Sequence, residues 1–179
     1  MKTYLTYGFG IALGGAIISM VLYFLGFNAD PDKLQASRWI TMVIGIVIAI
    51  VGLYLGTKEK RTLTPPDKRW GYGSAFGAAF MIGLFAAIFS GLYNYAYFAF
   101  IDPNISEIIL QMQLDQMEAK GMSADQIDKI EPMVRKWINP VAMSISGFVG
   151  AFFFHVVIGL IVAAFVKNRP QTEPPIAAV

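Results

Sequence analysis

The fold of this chain is decided by the stretch VAMSISGFVGAFFFHVVIGLIVAAFV at positions 141–166. It contains no Asp, Glu, Lys or Arg, and its apolar residues lie on every face of a helix rather than along one stripe. At 1.5 Å per residue, a helix of this length can cross the roughly 30 Å of hydrocarbon in a bilayer. A barrel strand would be far shorter and would alternate in polarity. The stretch therefore predicts a transmembrane α-helix.

Three earlier stretches are also long, apolar and uncharged. The chain holds 14 Lys and Arg and 12 Asp and Glu residues, and none of them falls within these stretches. With 56% hydrophobic and 15% charged residues, the composition differs from that of soluble domains. We expect an all-α membrane protein that forms a single domain over residues 1–179. Its four transmembrane helices are predicted at about 4–27, 39–56, 72–101 and 141–166.

The basic residues predict the orientation of these helices. Four crossings place the N-terminus, the 57–71 loop and the C-terminal tail on one side of the membrane, and the 28–38 loop and residues 102–140 on the other. The first side carries eight basic and three acidic residues, and the second carries six basic and nine acidic residues. Because Lys and Arg near helix ends are retained in the cytoplasm, both termini are expected to be cytoplasmic.

Aromatic residues cluster near the predicted helix ends, where amphipathic rings favour the headgroup layer. All three tryptophans lie at such ends: Trp39, Trp70 and Trp137. The tyrosines at the outer end of the third helix form a polar cluster with Asn94, and this cluster is expected to combine anchoring in the same layer with interhelical hydrogen bonds: Tyr93, Tyr95 and Tyr97. The aromatic residues therefore indicate the same helix boundaries as the charges.

Two segments near the predicted cytoplasmic side have simple interpretations. The basic residues between 58 and 69 could bind anionic lipid headgroups, although determination of topology explains them equally well. The tail 168–179 contains three prolines and is predicted to be disordered.

Residues 102–140 form the largest segment outside the predicted spans. Apolar residues recur there at helical spacing in two runs, 105–117 and 127–137. Ser123, followed three residues later by Gln126, is typical of a capping box that opens a helix. We expect an extracytoplasmic helical hairpin between the third and fourth spans. Its two amphipathic helices are predicted at about 104–120 and 124–138.

The apolar faces of this hairpin allow three interpretations. They could pack on each other, lie on the outer leaflet, or dock a second copy of the chain or another membrane protein. Pro132 is expected to kink or interrupt the second helix, because proline lacks the amide hydrogen that a helix requires.

Several segments resemble bacterial domain-of-unknown-function family 4199. The longest reads YNYAYFAFIDP at positions 93–103, and the next runs from Gly121 to Ile127 and on through Met133 to Asn139-Pro140. Two shorter segments, Tyr7-Gly8 and Lys68 to Phe76, follow the same order and spacing. The family consists of small four-helix membrane proteins, largely from Bacteroidota. The resemblance implies a location in the bacterial inner membrane, and it brings no known catalytic residue, cofactor or substrate.

Small residues recur every four positions in the last two spans. Such ladders allow the backbones of two helices to approach closely. We therefore expect the third and fourth helices to pack through a small-residue seam. Its principal members are Gly83, Ala87 and Gly91 on the third helix, and Gly147, Ala151 and Gly159 on the fourth.

His155 is the only histidine and lies near mid-membrane on the ladder of the fourth helix. A neutral imidazole that bonds across helices is one interpretation, and a proton-relay or ligand position is the other, because intramembrane ionisable groups often mark pathways. Without a carboxylate partner it would be a poor relay. Three further polar residues are expected near the same seam, where they could equally be interhelical hydrogen-bond partners. The candidate intramembrane polar site therefore comprises His155, Asn94, Ser90 and Ser146.

The sequence shows no enzymatic pattern. It has no cysteine, which excludes disulfides, thiolate nucleophiles and zinc–thiolate sites, and no nucleophile–base pair or metal-ligand spacing is visible. We expect no catalytic residue, no cofactor, no metal and no nucleic-acid partner. The favoured function is a non-enzymatic scaffold or accessory subunit of an inner-membrane assembly. The alternative is a small oligomeric transporter or channel, which a polar cavity around His155 and Asn94 would support.

Overall fold

The computed structural model describes residues 1–28, 31–65 and 67–168 of the chain. Throughout this part of the protein the regular structure is helical, with no strand. There are six α-helices: α1 (Lys2–Phe24), α2 (Pro31–Thr62), α3 (Tyr72–Ala96), α4 (Ile105–Ala119), α5 (Ala124–Trp137) and α6 (Pro140–Val166). From residue 169 onwards, the predicted disordered tail lies outside the described residues.

Four helices within the described ranges are long and apolar enough to cross a membrane. They are α1, α2, α3 together with the helical turn that follows it, and α6. The structure therefore confirms the all-α fold with four long apolar helices.

Helix α2 is longer than the apolar stretch 39–56 that predicted it. Residues 31–38, expected to belong to a loop, form its first two turns. Pro31 stands at the first helical position, where its missing amide hydrogen costs nothing. Leu34 and Ser37 in these turns are buried, so tertiary packing holds this part of the helix in place.

A π-helical turn, Tyr97–Ile101, continues α3 toward Asp102. The amide of Asp102 donates to the carbonyl of Tyr97 over 2.9 Å, which is the five-residue spacing of a π-helix. Asp102 then leaves helical geometry, as expected for a residue that precedes proline.

The main core lies between the four long helices. Helix α3 contacts α1, α2 and α6, and its most extensive contact is with α6. Each long helix contributes buried apolar side chains to one continuous cluster: Ile11, Ala49, Leu53, Ala79, Ile82, Ala86, Ile158, Val162 and Val166.

Helix α4 packs against one end of the bundle, called here the α4 end. A second core cluster joins Ile105 and Ile109 of α4 to Leu34 of α2 and to Tyr97. Helix α5 contacts α4 and α6 but contributes no buried residue to the described structure. The first of the two amphipathic helices therefore belongs to the bundle, whereas the second lies on its surface.

Helix α5 has a capped start and continues through an internal proline. The amide of Ser123 donates to the side-chain carbonyl of Gln126 over 3.0 Å, which satisfies one of the free amides at the helix start. The helix runs through Pro132 to Trp137, so the expected interruption does not occur. Asp128, whose carbonyl loses its partner to the proline, is exposed, and water can bond that carbonyl instead.

Candidate functional site

Helices α3 and α6 meet through small residues. A Cβ atom on Gly83 would lie 2.7 Å from the Cβ of His155, and one on Gly91 would lie 3.2 Å from the Cβ of Phe148. Larger residues at these glycines would push the two helices apart, because real Cβ contacts are rarely this short. The small side chains thus permit the close approach of the two backbones.

The remaining residues of the predicted seam lie on the same two helices. Gly159 faces the Cβ of Ala79 at 3.4 Å, and Gly147 faces the side-chain amide of Asn94. Ala87 is fully buried, whereas Ala151 is half-buried and lines the cavity described next.

A cavity of about 410 Å³ lies among α1, α2, α3 and α6. Most of its wall is apolar, but each of the four helices contributes at least one polar side chain. The polar residues that line it are Ser19, Thr41, Ser90, Tyr93, Asn94 and His155. No Asp, Glu, Lys or Arg is among the described residues of the wall. We call this space the central cavity.

His155 is the most unusual residue in the wall. Only 5% of its surface is exposed, and its Nδ1 atom makes no hydrogen bond with any residue that the structure describes. The carbonyl of Ala151, one turn earlier, interacts with the imidazole but not in hydrogen-bond geometry. A buried polar atom without a partner costs free energy, so such atoms are rare and call for an explanation.

The central cavity contains three of the four residues predicted for the polar site: His155, Asn94 and Ser90. Ser146 is elsewhere. It is exposed and lies in a separate groove of about 310 Å³ beneath α5, together with Gln113 and Trp137. Asn94 borders both spaces. Ser146 is one turn closer to the α4 end than Gly150, the first residue of α6 in the cavity wall, so it lies beside Asn94 at the predicted depth but outside the central cavity.

Two hydroxyl residues of the cavity were not predicted from the sequence. Ser19 on α1 and Thr41 on α2 are single hydroxyls in apolar helices, and such residues are common in transmembrane segments. Only the packing of α1 and α2 against α3 brings them to the cavity. No signal in the sequence distinguishes them from hydroxyls that face lipid.

Tyr93 and Tyr97 make hydrogen bonds within the bundle, which is one of the two roles predicted for the tyrosine cluster. The hydroxyl of Tyr93 donates to the carbonyl of Ala16 on α1 over 3.3 Å, and Tyr97 is buried. The Tyr97 hydroxyl donates to the carboxylate of Asp102, and the side-chain amide of Asn28 donates to both groups. These tyrosines therefore hold the helices together at the α4 end rather than facing lipid headgroups.

Three glycines in the cavity wall have no packing reason to be glycine. A Cβ atom on Gly15, Gly45 or Gly150 would meet no other atom within 4 Å. Glycine in a helix interior costs about 1 kcal/mol relative to alanine. At these positions the absence of side chains keeps the cavity and its edge open.

The end of the bundle opposite α4 is closed by hydrogen bonds. Arg61 on α2 donates through Nη1 to the carbonyls of Asn168, at 2.6 Å, and Val166, at 3.4 Å. The indole of Trp70 also donates to Val166, over 3.0 Å. These bonds satisfy carbonyls at the C-terminus of α6 that have no helical partner.

Comparisons with known proteins identify the family but add no activity. No curated protein and no solved structure matches the chain. Residues 6–168 match the sequence family described as Protein of unknown function (DUF4199). The match includes α2, α3, α6, all of α1 from residue 6 onwards and every residue of the cavity wall, and it confirms the resemblance seen in the sequence. The chain therefore belongs to the DUF4199 family.

Proposed function

We propose that this protein is non-enzymatic and binds an uncharged small molecule in the central cavity, as part of a small membrane transporter. The observation that carries this proposal is His155, which lines this 410 Å³ space and whose buried Nδ1 atom has no partner among the described residues. A ligand with a hydrogen-bonding group would satisfy it. The amide of Asn94 and the hydroxyl of Ser90 would fix the orientation of that ligand.

The chemistry of the wall supports binding rather than catalysis. Its described residues offer one imidazole, one amide and four hydroxyls, without a carboxylate to orient the imidazole or an ammonium group to stabilise a developing negative charge. A charged ligand would lose its hydration with no opposite charge to replace it. An uncharged ligand is therefore favoured.

Photolabelling of the full chain in phosphatidylcholine vesicles tests the binding proposal. Two uncharged diazirine probes are used, a long-chain alcohol that dissolves in the bilayer and a short diol that dissolves in water. We expect one of them to label the α1 and α3 segments around Ser19 and Ser90 in a saturable manner. Gly45→Leu, which fills the cavity, should abolish that labelling, and Gly77→Leu should not.

Gly77 is a matched control because a Cβ atom there also meets open space, but it lies outside the cavity wall. Labelling by either probe that does not saturate, or that is equal in the two glycine variants, would show that the cavity is not a binding site.

An accessory subunit is the second candidate function, supported by the surface of α5. Met133 is 65% exposed and Trp137 is 69% exposed, although both are large apolar residues on a helix outside the four long spans. A second copy of the chain or another membrane protein could cover them. Cross-linking from residues 102–140 in native membranes tests this role. Recovery of the protein as a monomer without a cross-linked partner would contradict it.

The proposed location is the bacterial inner membrane, with both termini in the cytoplasm. The excess of Lys and Arg in the 57–71 loop supports this orientation. Because the chain has no cysteine, single substitutions test it. A membrane-impermeant maleimide added to intact spheroplasts should react with Ser123→Cys and not with Lys58→Cys, and the reverse pattern would contradict the orientation.

Anionic lipid is a further proposed partner of the basic segment 58–69. Arg61 is engaged with the end of α6, and the ammonium of Lys60 lies 5.4 Å from the centre of the Tyr4 ring. Lys58 and Arg69 are exposed and could contact headgroups. Stronger retention of the wild type than of a Lys58→Gln, Arg69→Gln variant on anionic vesicles would support this contact, and equal retention would contradict it.

A further inference from the structure

The exposed residues of the central-cavity wall all belong to α2 and α6. In the half of the bundle away from the α4 end, these helices share a core through Leu53 of α2 and Val162 of α6. Closer to the α4 end, residues of both helices line the cavity instead, beginning with Ile48 on α2 and His155 on α6. The two helices therefore share a core at one end of the bundle and border the cavity toward the other, where the space between them is called here the gap.

The residues at the edge of this gap face both the cavity and the outside. Met42 on α2 is 46% exposed, Phe154 on α6 is 37% exposed, and Gly150 beside it is also exposed. All three line the cavity. We call the opening between them the lateral mouth. A Cβ atom on Gly150 would meet nothing within 4 Å, so no side chain closes it there.

The depth of the lateral mouth places it in the hydrocarbon layer. Gly150 and Phe154 lie well inside α6, which is uncharged from Pro140 to Val166. Met42 is one turn from Trp39, inside the uncharged part of α2. Helices of this length and composition are surrounded by lipid chains over these residues. A molecule that enters through the lateral mouth must therefore come from the bilayer itself.

The alternative entrance, from the groove beneath α5, is obstructed. Asn94 stands between that groove and the central cavity and borders both. Its amide nitrogen lies 2.7 Å from the position that a Cβ atom on Gly147 would occupy, so the amide fills the space between α3 and α6. A water-soluble molecule would have to displace this side chain.

Building on the proposed function, we infer that the ligand is an uncharged, bilayer-dissolved amphiphile that enters through the lateral mouth between α2 and α6. Its hydrocarbon part lies against the apolar wall, and its hydroxyl or carbonyl group reaches His155 and Asn94. The predominance of apolar residues in the wall and the absence of charged ones among its described residues match such a molecule.

Two substitutions on the same face of α6 distinguish the two entrances. Gly150→Leu places a side chain in the lateral mouth, whereas Ser146→Leu, one turn away, places it in the groove beneath α5. Both positions are exposed, so neither substitution crowds the core. Photolabelling uses the full chain in vesicles with the diazirine alcohol and the diazirine diol. Labels are counted around Ser19 and Ser90, which neither substitution touches.

We expect the alcohol to label these segments saturably in the wild type. Gly150→Leu should lose this labelling, and Ser146→Leu should retain it. Labelling by the diol alone would overturn lateral entry while leaving a binding cavity in place. The same conclusion would follow if Ser146→Leu lost the labelling and Gly150→Leu retained it. The absence of saturable labelling by either probe would overturn the proposed function as well. Circular dichroism and gel filtration confirm that each variant folds before its labelling is compared.

Discussion

Gly83 on α3 and His155 on α6 lie so close together that a Cβ atom on the glycine would stand 2.7 Å from the Cβ of the histidine. The backbone of α3 therefore lies directly against the Cβ of His155, at the wall of the central cavity. The same two helices carry Asn94 and Ser90, so the seam and the polar site are parts of one arrangement.

Replacement of Gly83 by alanine should therefore destabilise the fold. The added methyl group forces His155 to move, and overpacking of this kind costs about 1–3 kcal/mol, which outweighs the gain in helix propensity. Gly77→Ala adds the same methyl group in open space and should be neutral or slightly stabilising. Unfolding in mixed micelles, followed by circular dichroism, measures both. Equal stability of the two variants would contradict the close contact.

The hydrogen bonds of Arg61 should hold the last turn of α6. In Arg61→Gln, carbonyls of Val166 and Asn168 lose a charged donor, for which a loss of about 1.5–3 kcal/mol is typical. Lys58→Gln removes an exposed charge one turn earlier on α2 and is the control. Hydrogen exchange at the end of α6 should accelerate in the first variant only. Unchanged exchange in Arg61→Gln would rule out this role.

Tyr97 should contribute more to stability than its neighbour Tyr95. The hydroxyl of Tyr97 is bonded to Asp102 and Asn28, and its removal in Tyr97→Phe leaves buried polar groups with fewer partners, at a cost of about 1–3 kcal/mol. Tyr95 is exposed, and Tyr95→Phe should have little effect. Denaturant titration compares the two. A similar loss in both would mean that the tyrosines act as interfacial anchors after all.

Helix α5 should be the most mobile of the six helices. It buries no side chain in the described structure, and an ion pair of 2.6 Å between Arg135 and Glu107 joins it to α4. Hydrogen bonds from Arg135 to Glu107 and Glu131 raise the pKa of its guanidinium, which favours the cationic form that the ion pair requires. Exchange in α5 should be faster than in α4, and Arg135→Gln should accelerate α5 alone. Equal protection of α4 and α5 would contradict this account.

The long apolar helices could be predicted because their cause is local. Uncharged runs of sufficient length leave few structures other than helices in a bilayer. The seam could be proposed for the same reason, since a four-residue ladder such as that of Gly83 and Ala87 is visible in one helix at a time. The first turns of α2 could not be predicted, because they are held by a core cluster that joins Leu34 to residues distant in sequence, such as Ile105.

In the polar site, too, some residues could be predicted from the local sequence and others depend on the packing of distant helices. His155 and Asn94 stand out in any apolar helix, so they could be identified without knowing their neighbours. Ser19 and Thr41 become part of the site only because α1 and α2 close around it. The statistical preference of tyrosine for the headgroup layer does not separate anchoring from interhelical hydrogen bonding, and the bond of Tyr93 to the carbonyl of Ala16 gives its hydroxyl a partner inside the bundle.

The central claim is that the cavity around His155 binds an uncharged amphiphile, and the single histidine of the chain permits a direct test. The untagged protein, labelled with ¹⁵N only in histidine and reconstituted in vesicles, gives imidazole signals from one residue. We expect 1-decanol to shift the Nδ1 signal saturably, because its hydroxyl bonds that atom, and decane to leave it unchanged. An Nδ1 signal that is shifted by neither molecule, or that is shifted equally by both, would contradict the claim.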